Sequence, residues 1–422
     1  MRTFRPALTP VRPWSASLKV LKPETRRPAW LSAAVLGFLG FAAWGAWAWT
    51  GAGADPSLLA EQVESAIRDG RHDRAEAALA RLARLRPPIP ADRLLRAMSA
   101  HLVRHDDGAI AELNSVSDSD PLAAQARLFA GQIELRRNRV RLAEHFLLAA
   151  TRLDPTLVQA HRELIYIYGI LYHRHALNAE FLALSRLVPL SFHDAYVWCL
   201  TRNVTWDSKE LVPQLRTYVA ADPADRASRL SLAEGLRRIG RRDETDAVLA
   251  PLPATDPDAR AIRVRLALDR GDERLAESLL AVGADDHPEL ARLRGRLALV
   301  RRDGPAAVQH FRAANAAEPD DRDGLAGLGQ ALTMVGDTAS AAPYLAVARD
   351  LDALGALIQR VKAGSGPPDS KRLYDLGVAC QKARRLPEAR AWFQLVVDLD
   401  PLDSDAQKAL YRLKDRSPEP LK

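Results

Sequence analysis

Cysteine is nearly absent from this chain, which has only Cys199 and Cys380 in 422 residues. Two cysteines cannot form a disulfide framework or a zinc ribbon, so both of these small cross-linked fold classes are excluded. The chain must therefore be stabilised by packing of its apolar residues.

Motifs that carry catalysis are also missing. The sequence has no Gly-x-Ser-x-Gly elbow, no His-Glu-x-x-His, no P-loop and no dinucleotide fingerprint. We therefore predict no catalytic residue, metal or cofactor, and we expect that the chain is not an enzyme. His101 and His105 have the i, i+4 spacing of two ligands on one helical face, but no third ligand is nearby, and an exposed pair is the alternative.

Net charge is small once the N-terminus is set aside. The chain carries +7, and residues 1–28 hold seven basic residues and one acid, so +6 of it belongs to this segment. The remaining residues are close to neutral. A nucleic-acid-binding surface needs a coherent basic face, so we predict no nucleic-acid partner.

Prolines recur at a fixed interval, which indicates an internal repeat. Six of them follow one another at steps of 34 residues: Pro87, Pro121, Pro155, Pro189, Pro223 and Pro257. Proline lacks an amide donor and disfavours a helical residue before it, so it separates helical units. The next two steps, to Pro288 and Pro319, are 31 residues long.

Each interval has the pattern of two amphipathic helices, with apolar residues at i, i+3, i+4 and i+7. In the last interval the apolar and small positions are Leu373, Leu376, Gly377, Cys380, Ala389, Phe393 and Val396. The small residues allow the two helix backbones to approach closely. A helical hairpin is therefore predicted for each unit.

These residues make the chain resemble the tetratricopeptide repeat family, whose pattern is large-xx-Leu-Gly-xx-Tyr, Ala-xxx-Phe-xx-Ala, then Pro. Other units repeat the slots, with Gly131, Ala143, Leu147, Ala150 and Pro155 as one example. The resemblance implies an all-α, right-handed solenoid of about ten hairpins that binds partners and seldom catalyses. Each unit buries its apolar stripe only against its neighbours.

The sequence predicts seven segments in order. They are a basic cytoplasmic tail (1–28), a transmembrane signal-anchor helix (29–50), a short linker (51–55), a repeat array of about nine units (56–353), an insertion or linker (354–369), a final unit (370–403), and a capping helix with a tail (404–422).

The anchor prediction depends on 22 uncharged residues from Ala29 to Thr50, which as a helix would span about 33 Å. Basic residues before this segment place the N-terminus in the cytoplasm and the repeats outside the inner membrane. Ala52-Gly53-Ala54 resembles a signal-peptidase site. Cleavage there, giving a secreted array, is the alternative to a single-pass membrane protein.

Cys199 and Cys380 fall in small slots about five units apart. In an open solenoid that separation far exceeds the roughly 7 Å between Cα atoms that a disulfide allows. We therefore predict two separate, buried free thiols.

Aromatic residues concentrate between residues 156 and 223. The repeat slots predict that Tyr168, Phe181, Trp198 and Tyr218 are core residues. In the family, fixed positions of the first helix line the concave surface. Carried over to this chain, they predict a peptide groove formed by Gln159, Arg162, Tyr166, His193, Tyr196 and Asn203. The alternative is that these six residues lie on ordinary solvated helix faces.

The leading functional prediction is a membrane-tethered, extracytoplasmic scaffold that binds a protein or peptide, with the N-terminal helix in the lipid bilayer. The alternatives are a holdase-like chaperone for secreted or cofactor-accepting polypeptides and a polymer-binding scaffold. Frequent Ala and Arg with little Lys is typical of bacterial chains from GC-rich genomes, so the resemblance is to a membrane-anchored bacterial repeat protein.

Overall fold

The computed structural model describes residues 55–203, 208–282, 287–363 and 369–413. Over these residues the chain forms 21 α-helices and no β-strand. They are ten helical hairpins followed by one further helix. The predicted all-α repeat of about ten two-helix units is confirmed; its handedness stays a prediction.

The chain divides into two compact units, residues 1–166 and residues 167–422. The first unit contains α1 (Pro56–Arg68), α2 (His72–Leu85), α3 (Pro90–Leu102), α4 (Asp106–Asn114), α5 (Ala123–Arg136), α6 (Val140–Leu153) and most of α7 (Val158–Ile170).

The second unit begins within the last turn of α7 and contains fourteen further helices. They are α8 (Arg174–Leu187), α9 (Phe192–Asn203), α10 (Ser208–Ala221), α11 (Arg226–Arg238), α12 (Arg242–Leu249), α13 (Pro257–Asp269), α14 (Glu273–Ala281), α15 (Pro288–Val300), α16 (Gly304–Ala317), α17 (Arg322–Met334), α18 (Thr338–Ala363), α19 (Ser370–Lys382), α20 (Leu386–Leu399) and α21 (Ser404–Leu413).

Nine of the ten hairpins have a described turn with a repeated backbone geometry. One residue there adopts the left-handed conformation, with φ between 56° and 86°: Gly70, Arg104, Asn138, Tyr172, Gly240, Gly271, Arg302, Gly336 and Arg384. The following amide closes the helix end; in the first hairpin Arg71 N donates to the carbonyl of Ala66 at 2.8 Å. This bond from C″ to C3 is the Schellman end of a helix. The first four of these turns recur at 34-residue steps, as the prolines do.

In four hairpins a glycine on the first helix faces a large residue sixteen positions later on the second. A methyl group added at Gly377 would lie 2.5 Å from a ring carbon of Phe393, and one at Gly131 would lie 2.7 Å from Leu147 Cγ. The predicted slots for these residues are confirmed. Gly295 faces Phe311 in the same way, so a side chain at these positions would force the helices apart.

Aspartates start several helices of the second unit. The carboxylates of Asp225, Asp256, Asp272, Asp303, Asp321 and Asp369 each accept a hydrogen bond from a backbone amide in the first turn. Those amides have no partner within their own helix, so the caps stabilise the helix ends. Proline stands at or next to the first position of α13, α15, α16 and α20.

Helix α18 is longer than the others, at 26 residues. It continues past Ala353, where the sequence pattern predicted that the array is interrupted, and ends at Ala363. Leu354 and Ile358 are completely buried, so this extension is held by packing against its neighbours. The predicted insertion 354–369 therefore begins within a helix, and residues 364–368 lie outside the described part.

The last helix, α21, has the properties of a capping helix. Ala406, Ala409 and Leu413 are buried on one side, while Tyr411 on the other side is 81% exposed. The predicted tail, anchor and linker (residues 1–54) lie outside the described residues. Within the described part, no helix has an apolar stretch long enough to cross a membrane.

Candidate binding site

In the second unit, repeats that are distant in sequence become neighbours. Helix α9 packs against both α18 and α20. The ring of Phe192 on α9 meets the fully buried Trp392 on α20 edge-on, with the ring centroids 5.9 Å apart. The second unit therefore closes on itself, with its last hairpin against its first helices.

Charged residues join the two sides of this closure. The guanidinium of Arg202 on α9 donates to the carboxylates of Glu388 on α20 and Asp320 before α17. Arg385 donates to the carboxylate of Asp320 and to its backbone carbonyl, the latter at 2.8 Å. Glu388 is only 1% exposed, so its charge depends on Arg202 for compensation.

The two cysteines also meet at this closure. Cys199 on α9 and Cys380 on α19 are both fully buried, with free thiols whose Sγ atoms are 3.5 Å apart. The prediction of buried free thiols is confirmed, but the predicted wide separation is wrong. It assumed an open solenoid, in which units five apart never touch.

The second unit contains a half-open cavity of about 1570 Å³, to whose wall the closure contributes Arg202, Asp320 and Arg385. Its wall comes mainly from the first helices of successive hairpins, α11, α13, α15 and α17, together with the start of α8 and part of α18. Small-molecule pockets usually measure about 300–1000 Å³. This cavity exceeds that range, and its size suits a segment of polypeptide.

Arginines and carboxylates alternate along the cavity wall from one repeat to the next. Arg265 on α13 bonds to Glu234 on α11 at 3.1 Å and pairs with Glu289 on α15 at 2.8 Å. Arg292 then pairs with Glu289 and with Asp321 at the start of α17. We call these five residues the charge ladder. It connects four consecutive hairpins.

Glu234 is the most strongly perturbed member of the ladder. Burial raises the pKa of this carboxyl group, but the charges and hydrogen bonds of Arg265, Arg237 and Arg238 more than offset that effect. Together they lower the pKa of Glu234 from 4.5 to about 2. The carboxylate is therefore held in its charged form by its neighbours.

In the cavity wall, the acidic side chains are more completely paired than the basic ones. Eight of the nine carboxylates of the wall pair with an arginine: Glu234, Asp258, Asp269, Glu289, Asp320, Asp321, Asp323 and Asp352. The ninth, Glu318, contacts the imidazole of His175 at 3.1 Å. The side chains of Arg174 and Arg296 also line the cavity and are exposed, yet neither forms an ion pair with any described residue. The unused charge of this cavity is therefore positive.

Arg174 lies among charges of both signs. Desolvation inside the cavity lowers the pKa of its guanidinium, Asp321 and Asp323 act in the opposite direction, and the nearby Arg238 and Arg292 lower it further. The pKa remains below its usual value, so an added anion would stabilise this group.

The predicted groove residues are divided between the two units. In the first unit, Gln159 and Arg162 are half-buried and Tyr166 is only 8% exposed; the amide of Gln159 donates to Glu163 at 2.8 Å. In the second unit His193 is exposed and Tyr196 is half-buried.

The side chain of Asn203, the sixth predicted groove residue, is outside the description. None of the five described groove residues lines the cavity. The groove formed by these residues stays a prediction.

The aromatic core predictions are confirmed. Tyr168, Phe181, Trp198 and Tyr218 are each at most 4% exposed, and Phe181 stacks on Trp198 with the ring centroids 5.4 Å apart. His101 and His105 do not lie on one helical face, as their spacing had suggested. Helix α3 ends at Leu102, so only His101 belongs to it. Within the described residues, no group of three His, Cys, Asp or Glu side chains is placed to hold a metal ion.

A signal for the cavity residues was present in the sequence. Glu234, Arg265 and Arg296 follow one another at 31-residue steps, the same step that separates Pro257 from Pro288. Residues one repeat apart occupy equivalent positions on successive helices. The shared period therefore places these charges on one face, although it does not show that the face is enclosed.

Three features characterise the repeat: the helical hairpin, the left-handed residue in its turn, and the contact between a glycine and a large residue sixteen positions later. A family model described as tetratricopeptide repeat matches residues 104–157 and 292–356. These two segments are similar to tetratricopeptide repeats. Repeats of this type generally mediate interactions between proteins. No curated protein sequence matches the chain significantly.

Among solved structures, the chain is similar to a tetratricopeptide repeat protein from Parabacteroides merdae, with 15% identity and a TM-score of 0.32 over 66% of this chain and 98% of that one. It is also similar to the Cut9–Hcn1 hetero-tetramer of the APC/C, with 13% identity and a TM-score of 0.35 over 85% and 90%. A third likeness is the C-terminal part of a repeat protein from Cytophaga hutchinsonii, with 12% identity and a TM-score of 0.30 over 64% and 99%. Scores below 0.5 do not indicate a shared overall arrangement of helices.

Proposed function

We propose that this chain is a protein-binding scaffold whose second unit holds an acidic segment of its partner inside the cavity. The observation that carries this proposal is the uneven pairing of the wall. Eight of its nine carboxylates pair with an arginine, whereas Arg174 and Arg296 form no ion pair with any described residue. Carboxylates of a bound segment would supply the missing partners through charge-assisted hydrogen bonds. The charge ladder would keep its own pairs, so the wall would not need to rearrange.

The size and chemistry of the cavity support a peptide over a small ligand. Its volume of about 1570 Å³ is larger than ordinary small-molecule pockets. Apolar side chains such as Leu230, Ile262 and Leu293 lie among the charges of the wall. Such a surface can bind both the carboxylates and the apolar side chains of an extended segment.

The binding proposal is tested by photocrosslinking from inside the cavity in full-length protein. A photoreactive residue replaces Gln330, which is exposed and lines the cavity; a control replaces Ser278, which is exposed on α14 outside it. We expect a specific protein adduct from the first position, competed by an excess of an acidic peptide and not by a basic one. Equal capture from both positions, or indifference to the acidic peptide, would contradict the proposal.

Arginine variants give a second readout on the same adduct. Arg174→Ala and Arg296→Ala should each weaken capture about tenfold, since a hydrogen bond to a charged group contributes about 1.5–3 kcal/mol. The matched control is Arg349→Ala, which removes an exposed arginine that does not line the cavity. An equal loss in the control variant would indicate a general charge effect.

We further propose that the scaffold is tethered by residues 29–50, with the repeats outside the cytoplasm. The uncharged run and the basic residues that precede it support this topology. A tether raises the concentration of a membrane-localised partner, so a modest affinity can suffice. A reporter fused after Lys422 should be accessible from outside the intact inner membrane, and a protected reporter would reverse the topology.

A further inference from the structure

The closure of the second unit brings together two thiols from opposite ends of that unit. Cys199 lies on α9 near the start of the unit, and Cys380 lies on α19 in its last hairpin. Their Sγ atoms are 3.5 Å apart. A disulfide requires a sulfur–sulfur distance of about 2.05 Å, so the two atoms would need to approach by about 1.5 Å. At 3.5 Å the two sulfur atoms are already in contact.

We propose that Cys199 and Cys380 form a reversible disulfide that locks the second unit in its closed form. The bond would join α9 covalently to α19, and it would act beside the Phe192–Trp392 contact and the Arg202–Glu388 ion pair. This inference is independent of the proposed function, because it rests on the closure and not on what the cavity binds.

The chemistry requires an oxidant, which we take to be a low-molecular-weight disulfide or a thiol–disulfide oxidoreductase. The thiolate of one cysteine attacks the disulfide RSSR, forms a mixed disulfide and releases one RS⁻. The thiolate of the second cysteine then attacks the protein sulfur of that mixed disulfide and releases the second RS⁻. The two protein thiols lose two electrons and two protons, and RSSR is reduced to two RSH.

Burial makes the closed, reduced form resistant to attack. Both thiols are completely inaccessible, and burial together with the neighbouring Cys199 raises the pKa of Cys380 well above its ordinary value. A protonated, enclosed thiol does not attack a disulfide. The first step therefore requires the unit to open at this contact, and the second step requires it to close again.

The expected consequence is a coupling between oxidation and closure. In the folded chain the closure holds the two thiols together, whereas in the unfolded chain they are the ends of a long flexible loop. The effective concentration of one thiol at the other should therefore be much higher in the folded protein. By linkage, the disulfide must favour the closed form by the same factor.

The test uses the full chain equilibrated with mixtures of reduced and oxidised glutathione, with and without denaturing urea. Non-reducing electrophoresis and peptide mass mapping then measure the fraction with a bond between Cys199 and Cys380. We expect the effective concentration to be at least about a hundredfold higher in the native chain than in the urea-unfolded chain. Equal values, or a product that consists of mixed disulfides and dimers, would overturn the proposal.

Locking is measured separately by amide hydrogen exchange in α20 of the oxidised and reduced proteins. We expect exchange to slow at least about tenfold on oxidation, because local opening is then blocked. Cys199→Ala and Cys380→Ala, each of which keeps a small apolar residue in place of the thiol, should show no such change on oxidant treatment. An unchanged exchange rate in the oxidised wild type would show that the bond does not lock the unit.

Discussion

The ion pair between Arg202 and Glu388 provides the sharpest test of the closure. Glu388 is 1% exposed, the side chain of Arg202 is 11% exposed, and α9 and α20 meet only if the second unit closes. Arg202→Met leaves a buried carboxylate without its cation, which should cost about 3–5 kcal/mol. Glu388→Met should cost less, because Arg202 keeps Asp320 as a partner.

The double variant should be more stable than Arg202→Met alone. With both charges replaced by apolar side chains of similar volume, no buried carboxylate is left without its cation, and Asp320 keeps Arg385 as a partner. Such replacements are often neutral or stabilising. The resulting coupling energy between the two positions should be about 2–3 kcal/mol, at the upper end of the range measured for contacting residues in a shared network.

The assay is urea unfolding of the four proteins in this double-mutant cycle, monitored by far-UV circular dichroism and by tryptophan fluorescence. Trp392 lies at the closure, so its fluorescence would report separate opening of this contact. The matched control is a cycle on the exposed pair Arg301–Glu277, for which we expect a coupling of about 0–1 kcal/mol. A coupling at Arg202–Glu388 no larger than in this control would refute the closure.

Two further predictions concern packing and pH. Gly377→Ala should destabilise the chain by up to about 2 kcal/mol in urea unfolding, because the clash with Phe393 outweighs the gain in helix propensity of about 1 kcal/mol. The control Gly169→Ala, with no atom within 4 Å of the added carbon, should stabilise the chain. A change in the free energy of unfolding with the same sign for both variants would refute the packing argument. The lowered pKa of Glu234 should contribute about 3 kcal/mol of stability above pH 4.5, and this contribution is lost as the pH falls towards 2. The difference in unfolding free energy between wild type and Glu234→Gln should therefore shrink over this interval. A difference that stays constant with pH would contradict the prediction.

Much of the local structure was predictable because each repeat is specified by nearby residues. The repeat follows from the 34-residue proline step and from the glycine opposite a large residue in four of the hairpins. The core positions of Tyr168, Phe181, Trp198 and Tyr218 follow from helical periodicity. The extension of α18 was missed. Its pattern lacks the proline that ends other units, and packing around Leu354 and Ile358 decides where the helix stops.

The candidate site was less predictable. Residues carried over from the family led to Gln159, Arg162 and Tyr166, whereas the enclosed charged wall lies in the second unit around Arg174 and Arg265. The 31-residue spacing of the charges was readable and would have placed them on one face. Whether such a face lines an open groove or a cavity depends on the angle between successive hairpins. Side-chain packing sets that angle, and small differences in it add up over many repeats.

By itself, then, the sequence determined the repeating hairpin, its boundaries and its buried side, since these depend on residues at most some 34 positions apart. Only the tertiary structure decided that α9 meets α18, α19 and α20, and with it the ion pair of Arg202, the contact of Cys199 with Cys380 and the cavity. The physical reason is that each repeat contacts mainly its neighbours, so no local pattern encodes the sum of their rotations. That sum alone brings the ends of the second unit together.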